Sequence, residues 1–188
     1  MQETRLADQW SLLLSESGEK NFPLLSFTFV GKKFDVVLTH STKMSDELNE
    51  DIRLITISVQ SDGERVAILS GLLILDIFKG RHSFSSLGLT NIGFIMNGWE
   101  KVGNKPNHIS RLVEEVIKQL SINKVFENWD SDLSTALSDG AITMYERLGE
   151  DKRLMVEKHF IEKRPSWLVR TFGLKRDARF FYRVSKRD

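Results

Sequence analysis

The amino-acid sequence predicts an α+β fold, a β-sheet with helices packed on it. Three observations predict it. Runs rich in β-branched and aromatic residues fill the first hundred positions, and two of them meet at Asp62-Gly63, a strong hairpin signal. Apolar residues then recur at helical spacing from Ile109 to Leu120. Two further β-rich runs follow a second helical segment.

In chain order, Leu6 to Leu14 suits a short helix with Leu6, Trp10, Leu13 and Leu14 on one face. LLSFTFV and KFDVVLTH, separated by Gly31-Lys32, read as a hairpin. STKMSDELNED is polar and reads as a loop or one helical turn. IRLITISVQ alternates apolar and polar positions, and ERVAILSGLLILDIF is apolar on both faces, as a central strand is. Residues 79–91 read as loop and TNIGFIMNGW as a strand. Ile109, Leu112, Val113, Val116, Ile117 and Leu120 make one face of a clear amphipathic helix. NKVFENW reads as a strand. Ser138 suits the N-cap of a second helix in which Ala141, Met144, Tyr145 and Leu148 share a face. RLMVEKHF and ARFFYRVS read as two closing strands.

The 188 residues suffice for one sizeable core, and three prolines with no linker-like tract argue for one compact unit. Its expected subdivisions are an N-terminal helical extension over 1–22 and a basic insertion over 161–178. Cysteine is absent, which excludes disulfides and thiolate metal sites. The N-terminus carries Glu3, Arg5 and Asp8 and lacks a signal-peptide core, and no run is long enough to span a membrane. A soluble, cytoplasmic protein is expected. Net charge is +1, but residues 152–188 hold 12 basic and 4 acidic side chains, a local balance of +8. Such a region is a solvated face, or it attracts the phosphates of a nucleotide or a nucleic acid. Within it Lys163, Arg164, Arg170, Lys175 and Arg176 interleave with Trp167 and Phe172. That mixture folds onto the domain through its aromatics, or stacks on bases.

From about Phe27 to Val184 the chain resembles the GNAT superfamily of acyl-CoA-dependent N-acyltransferases. The likeness rests on the element order and on the second helix, where Ala141 is followed by Met144-Tyr145-Glu146-Arg147-Leu148-Gly149. SRLVEEVIKQL, from Ser110, looks like that family's cofactor-side helix. The resemblance implies a mixed, mostly antiparallel sheet flanked by helices, acetyl-CoA as acyl donor, and a primary amine on a small molecule or protein as acceptor. It implies that Tyr145 protonates the leaving thiolate; the other reading of Tyr145 is a core tyrosine. It implies that Asn104, Lys105, Asn107, His108, Ile109 and Ser110 lie along the cofactor pyrophosphate, where helix amides favour phosphate. The family's loop is of the type Arg/Gln-x-x-Gly-x-Gly/Ala, and its glycine positions fall here at Asn107 and Ile109. That departure keeps two alternatives open: an acyl-carrier-protein thioester as donor, or a non-enzymatic protein that binds a protein or nucleic-acid partner.

An acyltransferase also needs an oxyanion donor, expected among the backbone amides of Gly93 to Met96, and a base, for which Glu100, Asp76 and His108 are candidates. Glu127, Asp130 and Asp132 bracket Trp129; they bind a cation or amine, or they cap the turn before the second helix. His40, His82, His108 and His159 form no metal-binding array.

Overall fold

The structure, a computed structural model, describes residues 17–43, 52–75, 92–103, 108–133, 136–161 and 179–188. Their architecture is α+β: one mixed sheet of eight strands with two helices. The strands are β1 (Gly18–Phe29), β2 (Lys32–Lys43), β3 (Ile52–Ser61), β4 (Glu64–Leu75), β5 (Ile92–Lys101), β6 (Asn128–Asp130), β7 (Leu154–Phe160) and β8 (Phe180–Lys186). The helices are α1 (Ile109–Ile122) and α2 (Asp139–Leu148). The sheet order is β1-β2-β3-β4-β5-β6-β8-β7, and only β5 and β6 run parallel. Among the described residues no helix is long and apolar enough to cross a membrane.

The first five strands pair antiparallel in chain order, and tight turns join β1 to β2 and β3 to β4. Phe29 pairs with Lys32 and Ser61 with Glu64, leaving two-residue loops. Asp62 and Gly63 have φ of 53° and 79°, and Val30 and Gly31 have 49° and 71°. Positive φ at both central residues is the type I′ geometry, whose twist matches that of the strands. Asp-Gly accepts it readily, whereas a β-branched Val30 is forced into it.

Both helices lie on one face. Val113, Val116, Ile117 and Leu120 of α1, with Met144, Tyr145 and Leu148 of α2, join a core with Leu38, Ile57, Leu69, Leu73, Phe94 and Val184. Strand alternation sends Val37, Ile52, Leu72, Ile74 and Ile95 to the opposite face, and these are buried as well. The Glu114 carboxylate, held by Arg147 at 2.6 Å, ties α1 to α2. Ser138 caps α2 by accepting from the Ala141 amide.

Three expectations are corrected. β1 begins at Gly18, so the expected helical extension over 1–22 ends in strand; an edge strand tolerates Pro23, which hides the strand in the sequence. The strand expected over 123–129 is only Asn128–Asp130. Lys124 takes a φ of 51° after α1, and the chain bends through Val125 and Phe126, whose side chains enter the core without strand pairing. Within the acidic cluster, Asp130 is no turn cap. It lies 1 % exposed in the face opposite the helices. The expected helix over Leu6–Leu14, the segment 79–91, Asp76, and the basic-aromatic residues Lys163 to Arg176 lie outside the described residues.

Candidate functional site where β5 and β6 part

β5 and β6 pair in parallel over Gly93–Ile95 and Asn128–Asp130. β6 then ends, while β5 runs on to Lys101, held by β4 alone among the described strands. Parallel strands that part in this way open a crevice at their carboxyl ends, the usual ligand position in such sheets. A bulge marks the same place. Ser70 pairs with Gly98 and Gly71 with Met96, so Asn97 is the unpaired extra residue. Gly71 permits it: a Cβ there would run into the carbonyl oxygen of Ile95 and the ring of Phe94. Of the four residues expected to supply an oxyanion amide, Gly93, Phe94 and Ile95 are paired on both sides, and Met96 is the first beyond the parallel ladder.

Under the crevice lies an aromatic cluster. Trp129 sits 4.6 Å from Phe94, centroid to centroid, and Tyr145 stacks on Tyr182 at 5.3 Å with the rings 9° apart. The Trp129 indole N–H donates to Tyr145 Oη at 3.3 Å. Tyr145 is fully buried. Burial, reinforced by Asp130 and Asp132, holds its phenol well above the ordinary tyrosine range against the opposing pull of the indole hydrogen bond. The hydroxyl therefore stays protonated. Because the indole occupies a lone pair, the phenolic proton can still be donated.

Asp130 accepts two hydrogen bonds from Arg183, 2.8 Å from Nε and 2.9 Å from Nη2. Sequence reasoning assigned Arg183 no role. The signal for it is a lone cation in the apolar run Phe180-Phe181-Tyr182-Arg183-Val184, which has to be paired if that strand is central. The Arg183 guanidinium also lies 5.6 Å from the ring of Phe181, on which His159 stacks at 5.2 Å.

The remaining expected site residues fall as follows. His108 is exposed and precedes α1; its side chain makes no cap hydrogen bond, and the first turn holds no acidic residue. Ile109 and Ser110 open that helix. Asn104, Lys105 and Asn107 lie outside the described residues. Glu100 is exposed on the part of β5 beyond the parallel ladder, and Glu127 is exposed beside the buried Trp129. Among the described residues no three His, Asp or Glu side chains gather as metal ligands.

Comparison with protein-family models, with curated proteins and with solved structures found no match for this chain.

Proposed function

We propose that this protein is a GNAT-like acyltransferase that moves an acetyl group from acetyl-CoA to a primary amine of a small-molecule or protein acceptor. The observation that carries the reading is the parting of β5 from β6 after Ile95 and Asp130. There β5 has lost one neighbour, and an extended ligand bearing amides, as the pantetheine arm does, can pair with it as an added strand would. The element order supports the reading: an antiparallel meander, a helix, a parallel strand, a helix and a closing hairpin. So does the start of α1. Its acid-free first turn, to which no described side chain bonds as a cap, suits an anion, which favours Ile109 and Ser110 as pyrophosphate contacts, with Asn104, Lys105, Asn107 and His108 preceding them in sequence.

In the reaction the amine nitrogen attacks the thioester carbonyl, the C–S bond breaks, and the thiolate leaves as the nitrogen passes its proton to a base, with Glu100 or His108, both exposed, as the proposed acceptor. The amide of Met96 or Asn97 is the proposed oxyanion donor. Tyr145 is the proposed donor to the sulfur. A thiol ionises near 8.5 in the ordinary case, and burial holds this phenol far above that. Complete proton transfer to the thiolate would run uphill, so Tyr145 serves by hydrogen bonding to the developing charge.

One observation favours the second reading, a non-enzymatic protein with a macromolecular partner: no atom of Tyr145 is open to solvent. Calorimetry with acetyl-CoA, on the protein and its Tyr145→Phe variant, separates the two. Micromolar binding by both, with turnover lost in the variant, supports the acyltransferase. Absence of binding by the unmodified protein sinks it. Transfer from an acylated carrier protein, without binding of free acetyl-CoA, identifies the carrier as donor. Steeply salt-dependent binding of DNA or RNA without acetyl-CoA binding supports the second reading.

A further inference from the structure

The two edges of the sheet are unlike. β1, at one edge, carries Pro23 and register breaks between Glu19 and Phe22 and between Pro23 and Leu25. Proline and bulges are how natural proteins keep an edge from pairing. β7, at the other edge, pairs with β8 in unbroken register from Leu154 to Phe160. It also bears two of the exposed large apolar side chains, Met155 at 41 % and Phe160 at 73 %.

The main chain of β7 shows which groups face outward. Ile161 N–H donates to Arg179 O, and Arg187 N–H donates to Arg153 O. With the register unbroken between these points, the main-chain groups of odd-numbered residues face β8, and those of Val156, Lys158 and Phe160 face the open edge. Among the described residues no strand pairs with them.

We propose that β7 pairs antiparallel with β7 of a second copy of this chain, about a twofold axis at Lys158, joining two sheets into one. In this register Lys158 faces its own counterpart, Val156 faces Phe160, Glu157 faces His159 and Met155 faces Ile161. Each outward main-chain group then meets a partner, and a shift along the strand leaves some unpaired. Apolar residues meet apolar ones, and the one acidic side chain of β7 meets its one histidine. The like-charged pair at the axis is relieved within each copy, because Lys158 Nζ leans back over its own Phe180 ring, 4.0 Å from the centroid.

Analytical ultracentrifugation across micromolar to millimolar concentrations tests the proposal. A monomer–dimer equilibrium is expected, and Phe160→Lys weakens it by roughly tenfold or more. At dilutions where both proteins are monomeric, that variant keeps its circular dichroism and melting temperature, because the side chain it replaces is already exposed. Opposed residues of such a ladder have Cα atoms about 5.5 Å apart, within disulfide reach. The chain has no cysteine of its own. Lys158→Cys should therefore oxidise to a covalent dimer several-fold faster than Lys33→Cys, placed beside the far hairpin turn. A protein that stays monomeric at millimolar concentration overturns the proposal. So does a dimer that Phe160→Lys leaves intact, or a Lys158→Cys protein that crosslinks no faster than the control.

Discussion

Trp129 donates its indole hydrogen to the hydroxyl of Tyr145 over 3.3 Å, and neither side chain is more than 1 % exposed. The bond joins β6 to α2 at the place where the sheet opens. It makes Tyr145 both a structural acceptor and the proposed donor to a leaving sulfur. Tyr145→Phe leaves a buried N–H without that acceptor, which costs about 1–3 kcal/mol. Urea denaturation should show that loss whether or not acetyl-CoA binding is kept.

Alkaline titration should report the same burial. Tyr145 and Tyr182 are the two tyrosines of the chain, and burial raises the pKa of both. In the unfolded chain each ionises near its ordinary value of 10.0. Above that pH the unfolded state has lost protons that the folded state keeps, so the stability these groups contribute is full below it and falls as pH rises. Ultraviolet absorbance should show less tyrosinate at that pH than two ordinary phenols would give while the protein stays folded, with a further rise on unfolding.

The Asp130–Arg183 pair should be intolerant of half-measures. Replacing only Asp130 by Asn takes away the carboxylate that holds the buried Arg183 guanidinium with two hydrogen bonds and should cost about 3–5 kcal/mol. Replacing both residues by Leu and Met removes both charges and should cost less than the single change. A double-mutant cycle in denaturant measures the difference.

Asp151 should supply part of the acid limb of stability. Arg153, which holds it at 2.8 Å, and Lys118, at 3.1 Å, keep its carboxyl well below the usual range. The contribution is present above its ordinary pKa of 3.8 and is lost as pH falls below it. Arg153 is more than half exposed, so solvent screening limits the effect to about 1 kcal/mol or less. The stability gap between the protein and its Asp151→Asn variant should shrink between pH 6 and pH 3.

Val30 sits 79 % exposed with a φ of 49°, where a β-branched side chain gains nothing and crowds its own backbone. Val30→Asn, which creates the Asn-Gly pair that this turn prefers, should stabilise the protein by about 1 kcal/mol. The readout is the denaturation midpoint at unchanged slope.

Legibility in the sequence followed local physics. The Asp62-Gly63 turn, the stripe from Ile109 to Leu120 and the Ser138 cap are short-range signals, and each marks the element found there. The position of β6 is not legible in the sequence because its strand character comes from neighbours. Three residues are held between β5 and β8, and Val125 and Phe126 enter the core from a bend. Asp130 looked like a surface acid because its partner is 53 residues away in the chain. The second helix was visible and Tyr145 lay on its buried face, yet its bond to Trp129 needed the fold, since spacing along one segment does not reveal a contact between two.

Arg183 reaches Asp130 because β8, the last of the described strands, takes an inner place between β6 and β7. As the polypeptide leaves the ribosome, β6 and β7 emerge first with a vacancy between them, and β7 has no sheet to join until Phe180–Lys186 slide in. The meander can assemble during translation. Closure of the far half awaits that final insertion, and with it the burial of Trp129 and Tyr145 beneath Tyr182.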